Sequence, residues 1–203
     1  MGRKPNTDAR RQQIVEALMA EMAVAGYERA STKSIAARAG LAPGLIHYHF
    51  ASKVEILLAL VDFLIERASL QSAAALDAAG SPQAKLAAYV ASRVGLGPAA
   101  DSAQVKAWVG ILAEAMGQPG VRSRLAKWLG GDHAALAELF AAAGSTAAKE
   151  HASMLIAMIL GSFSLHALNV STVPKGYAER QIVLWLDSVV PLQAKARIPG
   201  ARK

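Results

Sequence analysis

Residues 31–50 read STKSIAARAGLAPGLIHYHF, and this stretch decides the architecture. Two short helices meet in it at a glycine. Ser31 or Thr32 caps the first helix, in which Ile35, Ala36 and Ala39 face inward. Gly40 ends that helix, because glycine takes the positive φ of a tight turn without a Cβ penalty. Leu41 and Ala42 form the turn, and Pro43 suits the first position of a second helix over about 43–49. Ala36, four residues before Gly40, is small enough to let that second helix pack close. Leu41 and Ile46 plug the pair onto an earlier helix. The side chains left facing outward are Pro43, Gly44, His47 and Tyr48, with Thr32 and Lys33 nearby and Arg38 and Lys53 on the flanks. This is a helix-turn-helix pattern, and polar and aromatic groups on an exposed, basic-flanked short helix suit a DNA major groove.

Outward from this core the chain reads as helices throughout. Ile14, Val15, Leu18, Met19 and Met22 form one apolar stripe, which predicts a helix over 8–25 ended by Gly26. Residues up to about Thr7 read as a disordered basic arm. Ser52 caps a helix from Lys53 to about Ala75, with Leu57, Leu58, Val61, Leu64 and Ile65 on its apolar face. Further helices are expected at about 82–94, 103–117, 120–129, 132–143, 146–170 and 177–193. The breaks between them are Gly80-Ser81-Pro82, Gly95-Leu96-Gly97-Pro98, Gln118-Pro119-Gly120, Gly130-Gly131, Gly144-Ser145 and Pro174-Lys175-Gly176. The predicted fold class is all-α, about nine to ten helices. A three-helix head occupies 1–52, a larger helical part 53–194, and a basic tail, read as disordered, 195–203.

Composition agrees and narrows the function. The chain has 203 residues, of which 53% are hydrophobic, too many for a disordered polypeptide. Alanine, the best helix former, supplies 44 of them. There is no cysteine, so no thiol nucleophile, disulfide or cysteine-ligated metal centre is possible. His133, His151 and His166 lack metal-ligand spacing, so no metal site is expected. No nucleophile–base–acid set or phosphate-cradling glycine loop is present, so neither an enzyme nor a cofactor is expected. The net charge of +7 is concentrated at the ends of the chain. Residues 1–53 hold eight Lys/Arg against four acids, and Lys195, Arg197, Arg202 and Lys203 have no acid beside them. A basic head on a near-neutral body suggests a polyanion partner. Residues 151–174 carry no formal charge, but three histidines and asparagines and five hydroxyl side chains make a lipid-facing span costly there. Burial in a core or subunit interface is the expectation, with no membrane association and a cytoplasmic location.

Residues 9–60 resemble the N-terminal DNA-binding domain of TetR-type transcriptional regulators. Gly26-Tyr27, the Ile35-Ala36…Ala39-Gly40-Leu41 core, His49-Phe50, and Ser52-Lys53 before an aliphatic run match in order and spacing. AWVGILAEAMGQPGVRSRL (107–125) and SMLIAMILGSFSLHAL are similar to the ligand-binding part of the BetI-like branch. The resemblance implies DNA contacts at Thr32, Lys33, Ala42, Pro43, Gly44, His47, Tyr48, His49 and Lys53. The family's usual recognition-helix tyrosine falls on His47, and its usual hydroxyl cap falls on Ala42. Lys33 is the best candidate for a base-edge donor, and Tyr48 and Lys53 for phosphate contacts. His49 reads either as a DNA contact or as a buried structural histidine.

The resemblance further implies a ligand-binding and dimerisation role for 53–194. Trp108, Trp128, Phe140, Met154, Met158, Phe163 and His166 are candidates for lining an effector cavity, although each alone also reads as core or interface. The expected function is a ligand-responsive transcriptional repressor. It would bind a palindromic double-stranded operator as a homodimer through helices 146–170 and 177–193, and answer to an unidentified small-molecule effector. The alternative is a helical small-molecule-binding or interaction protein without specific DNA binding.

Overall fold

Capping chemistry and apolar stripes set the elements. The computed structural model describes residues 4–94 and 102–190, with side chains from Thr7 onward. Nine α-helices occupy the described residues, without a strand. They are α1 (Lys4–Ala25), α2 (Thr32–Arg38), α3 (Pro43–His49), α4 (Lys53–Asp77), α5 (Pro82–Val94), α6 (Ser102–Gly117), α7 (Pro119–Ala142), α8 (Ala148–Ala167) and α9 (Tyr177–Val189). The expected break at Gly95–Pro98 and the basic tail from Lys195 lie outside the described residues.

The helix-turn-helix forms by the expected devices. Ser31 caps α2, its Oγ accepting from the Ser34 amide at 3.0 Å while Ser34 Oγ accepts from the Ser31 amide. Gly40 sits at φ +63°, and the Leu41 amide donates to Ala36 O while the Gly40 amide donates to Ala37 O. That pair of bonds is a Schellman ending, which satisfies carbonyls that the helix terminus would otherwise orphan. Ala36 and Ile46 are fully buried, and Leu41 packs on the core. Ser52 caps α4 by accepting from the Glu55 amide.

Several boundaries differ from expectation. Helix α1 starts at Lys4, so the residues up to Thr7 are not all an unstructured arm. A proline at position 5 is compatible with a first turn, where its missing N–H has no intrahelical partner. Residues 120–129 and 132–143 belong to one helix, α7, which runs through Gly130-Gly131. Val121, Leu125, Leu136 and Phe140 are buried along it, with Trp128 packed beside them. Burial on both sides of the glycines outweighs their cost of about 1 kcal/mol each relative to alanine. Helix α8 is shorter than 146–170, ending at Ala167, and α9 ends at Val189.

The core is continuous from α1 to α9. Helix α1 packs against α2, α3, α4 and α6, and α4 packs against α1, α5 and α7. Helix α4 buries Ile56, Leu57, Leu60, Val61, Leu64, Ala68 and Ser72, a single stripe at spacings of one, three and four. Its start joins the head, and from Leu58 and Asp62 onward it meets the body. Helix α8 lies on α7 and α6, and α9 on α5 and α8. Among the described residues no helix is long and apolar enough to cross a membrane.

Candidate DNA interface and effector region

Helix α3 is anchored on one side and open on the other. Ile46 and Phe50 are buried at 1% exposure each, whereas Ala42, Pro43, Gly44, His47 and Tyr48 are exposed, Tyr48 at 70%. Lys33 is exposed and Thr32 half-buried at the start of α2. Seven residues allow only two turns, so the buried Ile46 leaves the opposite side of the helix free to meet another molecule. Ala42 supplies no side-chain cap, as its methyl group dictates.

His49 and Lys53 have internal roles. His49 is half-buried, its ring edge-on to Tyr48 at 5.1 Å, and its Nδ1 is buried without a hydrogen-bond partner. The Lys53 ammonium lies 4.2 Å from the centre of the Tyr27 ring and donates to Tyr27 O at 3.1 Å and Glu28 O at 3.4 Å. It therefore ties α4 to the turn after α1 and keeps only part of its donor capacity for a phosphate. Sequence reasoning missed Arg11. Its guanidinium sits 3.9 Å from the Phe50 ring centre, donates to His49 O and lies 3.6 Å from Glu55. One side chain of α1 thus fixes the end of α3 to the start of α4. The 38-residue separation hides this pairing from any local pattern.

Where head meets body, α6 approaches the Tyr27–Glu28 turn. Burial pushes the Tyr27 phenol up to about 12, and the Glu114 and Glu28 carboxylates add to the effect. Burial also raises the Glu114 carboxyl, with Glu28 contributing and Lys53 opposing.

The seven effector-cavity candidates fall into separate places. Trp108 and Trp128 stack at 5.1 Å with an interplanar angle of 16°. Phe140 is fully buried against His151 and Trp185. Phe163 is buried and Met158 is half-buried on the core, whereas Met154 is 53% exposed. Of the seven, only His166 lines the cavity of about 510 Å³ between the end of α8 and the start of α9. Val94, Ser162, Asn169, Lys175 and Tyr177 share that cavity. Beside the tryptophan pair lies a charged cluster that sequence reasoning did not single out. Arg93 and Asp132 form an ion pair, and Tyr89 Oη donates to Asp132 Oδ2 at 2.8 Å. Burial holds the Tyr89 phenol well above its ordinary value. The cluster unites positions 39 and 43 residues apart, beyond the reach of helical periodicity.

Comparison with known proteins fits this arrangement. Residues 14–60 match the family described as bacterial regulatory proteins, tetR family. Residues 82–191 match the C-terminal part of BetI-type transcriptional repressors. Both descriptions are of regulatory proteins, not enzymes. The HTH-type transcriptional regulator BetI of Yersinia pestis (strain Pestoides F) is 35% identical over 113 residues, covering 54% of this chain and 56% of that protein. The BetI regulator of Serratia proteamaculans (strain 568) is 33% identical over 114 residues, again 54% and 56%. The chain thus spans about half the length of the curated relatives it matches. Among solved structures, a transcriptional regulator from Rhodococcus sp. Rha1 superposes with a TM-score of 0.77 at 22% identity, covering 88% of this chain and 95% of that one. A regulator from Saccharomonospora viridis, in complex with choline, gives 0.75 at 22% identity over 89% and 95%. These likenesses support the fold, and the C-terminal match covers more than half of the sequence. The chain belongs to the TetR family of bacterial regulatory proteins, with a BetI-type C-terminal part.

Proposed function

We propose that this protein is a ligand-responsive repressor of transcription that binds a palindromic operator as a homodimer, with residues 1–52 as the DNA-binding head and 53–194 as the effector and dimerisation domain. The observation that carries the reading is α3: anchored by Ile46, Phe50 and Arg11, it presents Pro43, Gly44, His47 and Tyr48 to solvent beside the exposed Lys33. Tyr48 and Lys33 supply the donors, to phosphate and base edge respectively, and Thr32, Ala42, His47, His49 and Lys53 complete the surface. Two such helices reach successive major grooves when about 34–36 Å apart. The dimer forms through α8 and α9, whose exposed apolar residues include Met154, Leu165 and Leu184, with Leu168 at the end of α8. The effector is a small molecule held by the body, and it acts only through its affinity difference between DNA-competent and DNA-incompetent states. Support for a small-molecule site comes from neighbours of the same fold that hold choline or, in the Bacillus subtilis regulator FadR, stearoyl-CoA. A protein of this role works in the cytoplasm, with the DNA it controls.

The test is a mobility-shift titration on the DNA upstream of the protein's own gene, at several salt concentrations. The wild type gives a saturable, sequence-selective complex. The Lys33→Ala, Tyr48→Ala double variant loses it while remaining dimeric. Unchanged operator affinity in that variant refutes the assignment. Weak binding by the wild type that vanishes with salt and ignores sequence favours a helical binding protein without an operator.

A further inference from the structure

The cavity of about 510 Å³ between the end of α8 and the start of α9 shares no residue with the tryptophan pair or the Arg93–Asp132 ion pair. Asn169 and Gly176, both at positive φ, turn the chain out of α8 and into α9, and both line it. Its volume lies in the range of small-molecule pockets, and its walls have their usual composition of apolar sides with a few polar groups. Val94, Val170 and Val173 supply apolar sides, and Lys175, His166 and Tyr177 supply polar groups. Val94 is buried, whereas Lys175 and His166 are exposed. The apolar side is therefore the inner one, and the polar groups stand where the cavity reaches solvent.

These polar groups share one character. Each can donate a hydrogen bond, and Lys175 carries a full positive charge. Among the described residues that line the cavity there is no carboxylate. Lys175 forms no ion pair among the described residues, and no hydrogen bond claims the His166 ring there. Arg38, Arg93 and Arg124, by contrast, are each paired with an acid. The Ser162 hydroxyl, deeper in the wall, is already spent on Ile159 O at 2.7 Å. A cleft with one sign of charge and low-dielectric sides concentrates the field of that charge and draws in the opposite one. An anionic head at the solvent side keeps part of its hydration, so its desolvation cost stays small.

We propose that this cavity seats an amphiphilic monoanion, a carboxylate on an apolar body, with the carboxylate at Lys175 and the body against Val94, Val170 and Val173. The proposal deepens the reading of 53–194 as the effector domain and rests on it for the ligand's role, but the binding itself is measured without DNA. Charge at Lys175 selects the head group, and the valine sides select an apolar body over a small hydrophilic anion.

The test is calorimetric titration of the full-length protein with three probes that share one apolar body: phenylbutyrate, its neutral amide and the corresponding primary amine. The wild type binds phenylbutyrate saturably and prefers it over the amide by roughly 3- to 10-fold, the contribution of one hydrogen-bonded charge at a part-exposed site. The amine binds more weakly than the amide. Lys175→Gln loses the preference for the carboxylate, and Lys175→Arg, which keeps the charge, keeps it. Val170→Trp fills the cavity from an exposed wall and abolishes binding of phenylbutyrate while circular dichroism shows a folded helical protein. No saturable binding of phenylbutyrate by the wild type overturns the proposal. So does an amide or amine that binds as tightly, a preference that survives Lys175→Gln, or a folded Val170→Trp variant that still binds. An operator assay run alongside separates the two readings: absence of DNA recognition with the phenylbutyrate results intact refutes the repressor alone.

Discussion

Replacing glycine by alanine at two positions of this chain gives opposite results, and the sizes follow from the backbone. At Gly40 a Cβ would meet nothing within 4 Å, so steric crowding by neighbours contributes nothing. What remains is the φ of +63°, where an L side chain costs about 1–2 kcal/mol. Alanine also restricts the unfolded chain, which returns about 0.4–1 kcal/mol. The net expectation for Gly40→Ala is a loss of up to about 1.6 kcal/mol, or a fall in Tm of up to roughly 6 °C for a chain of this size. At Gly130 a Cβ also meets nothing within 4 Å, but the residue is inside α7 with ordinary helical geometry. Gly130→Ala therefore stabilises by about 0.5–1 kcal/mol. Gly40→Asn loses less than Gly40→Ala, because asparagine tolerates the left-handed region. Thermal and urea unfolding followed by circular dichroism, all at one fixed protein concentration, measures the three variants. Shifts of the same sign for Gly40→Ala and Gly130→Ala would refute the reasoning, because the substitution and the surrounding space are alike and only the dihedral differs.

Other expectations are more local. Phe140→Ala, at a fully buried ring packed on His151 and Trp185, lowers stability by about 3–5 kcal/mol, read as a lower urea midpoint. Glu114→Gln stabilises the protein at neutral pH, read as a small rise in Tm. The sign comes from a folded-state pKa raised above the unfolded one: stability is greatest while the carboxyl is protonated and is lost as pH rises through the folded value. The gain from Glu114→Gln accordingly shrinks toward pH 4, and Tm measured across pH checks it. By the same rule the raised Tyr27 phenol makes stability fall between pH 10 and about 12, and Tyr27→Phe flattens that fall in alkaline unfolding curves. Leu184→Glu, placing a charge at a 60% exposed apolar position of α9, converts the proposed dimer to monomers in sedimentation velocity with helical content unchanged.

Much of this was legible in local patterns. Ala36, Gly40, Ile46 and Ser52 do their work within a few residues of themselves, through a cap, a positive φ or a turn of helix. Pro82, preceded by Ser81, marks the start of α5 for the same reason. What escaped depends on distance along the chain. Gly130-Gly131 reads as a break because local propensity opposes a helix there, yet the stripe from Val121 through Leu125 and Trp128 to Leu136 and Phe140 continues across it at helical spacing. Arg11 reads only as one of eight basic residues in 1–53 and Lys53 as a phosphate contact, whereas a carbonyl 38 residues away and two carbonyls 26 and 25 residues away claim them. The expected effector residues are large or polarizable side chains, properties shared by cavity walls and packed cores. Tertiary contact alone separates His166, at a cavity, from Phe140, in the core.

Helix α4 has a mechanical consequence. Its 25 residues span about 37 Å as a single rod, gripped at its start by Ser52, Lys53 and Glu55, tied to α7 through Asp62 and Arg124, and packed against α5. A tilt of about 5° imposed at the far end displaces the near end by roughly 3 Å over that length. Motion that a floppy tether would absorb is instead geared into head position, so in the proposed dimer the spacing of the two heads would follow angles set deep in the body.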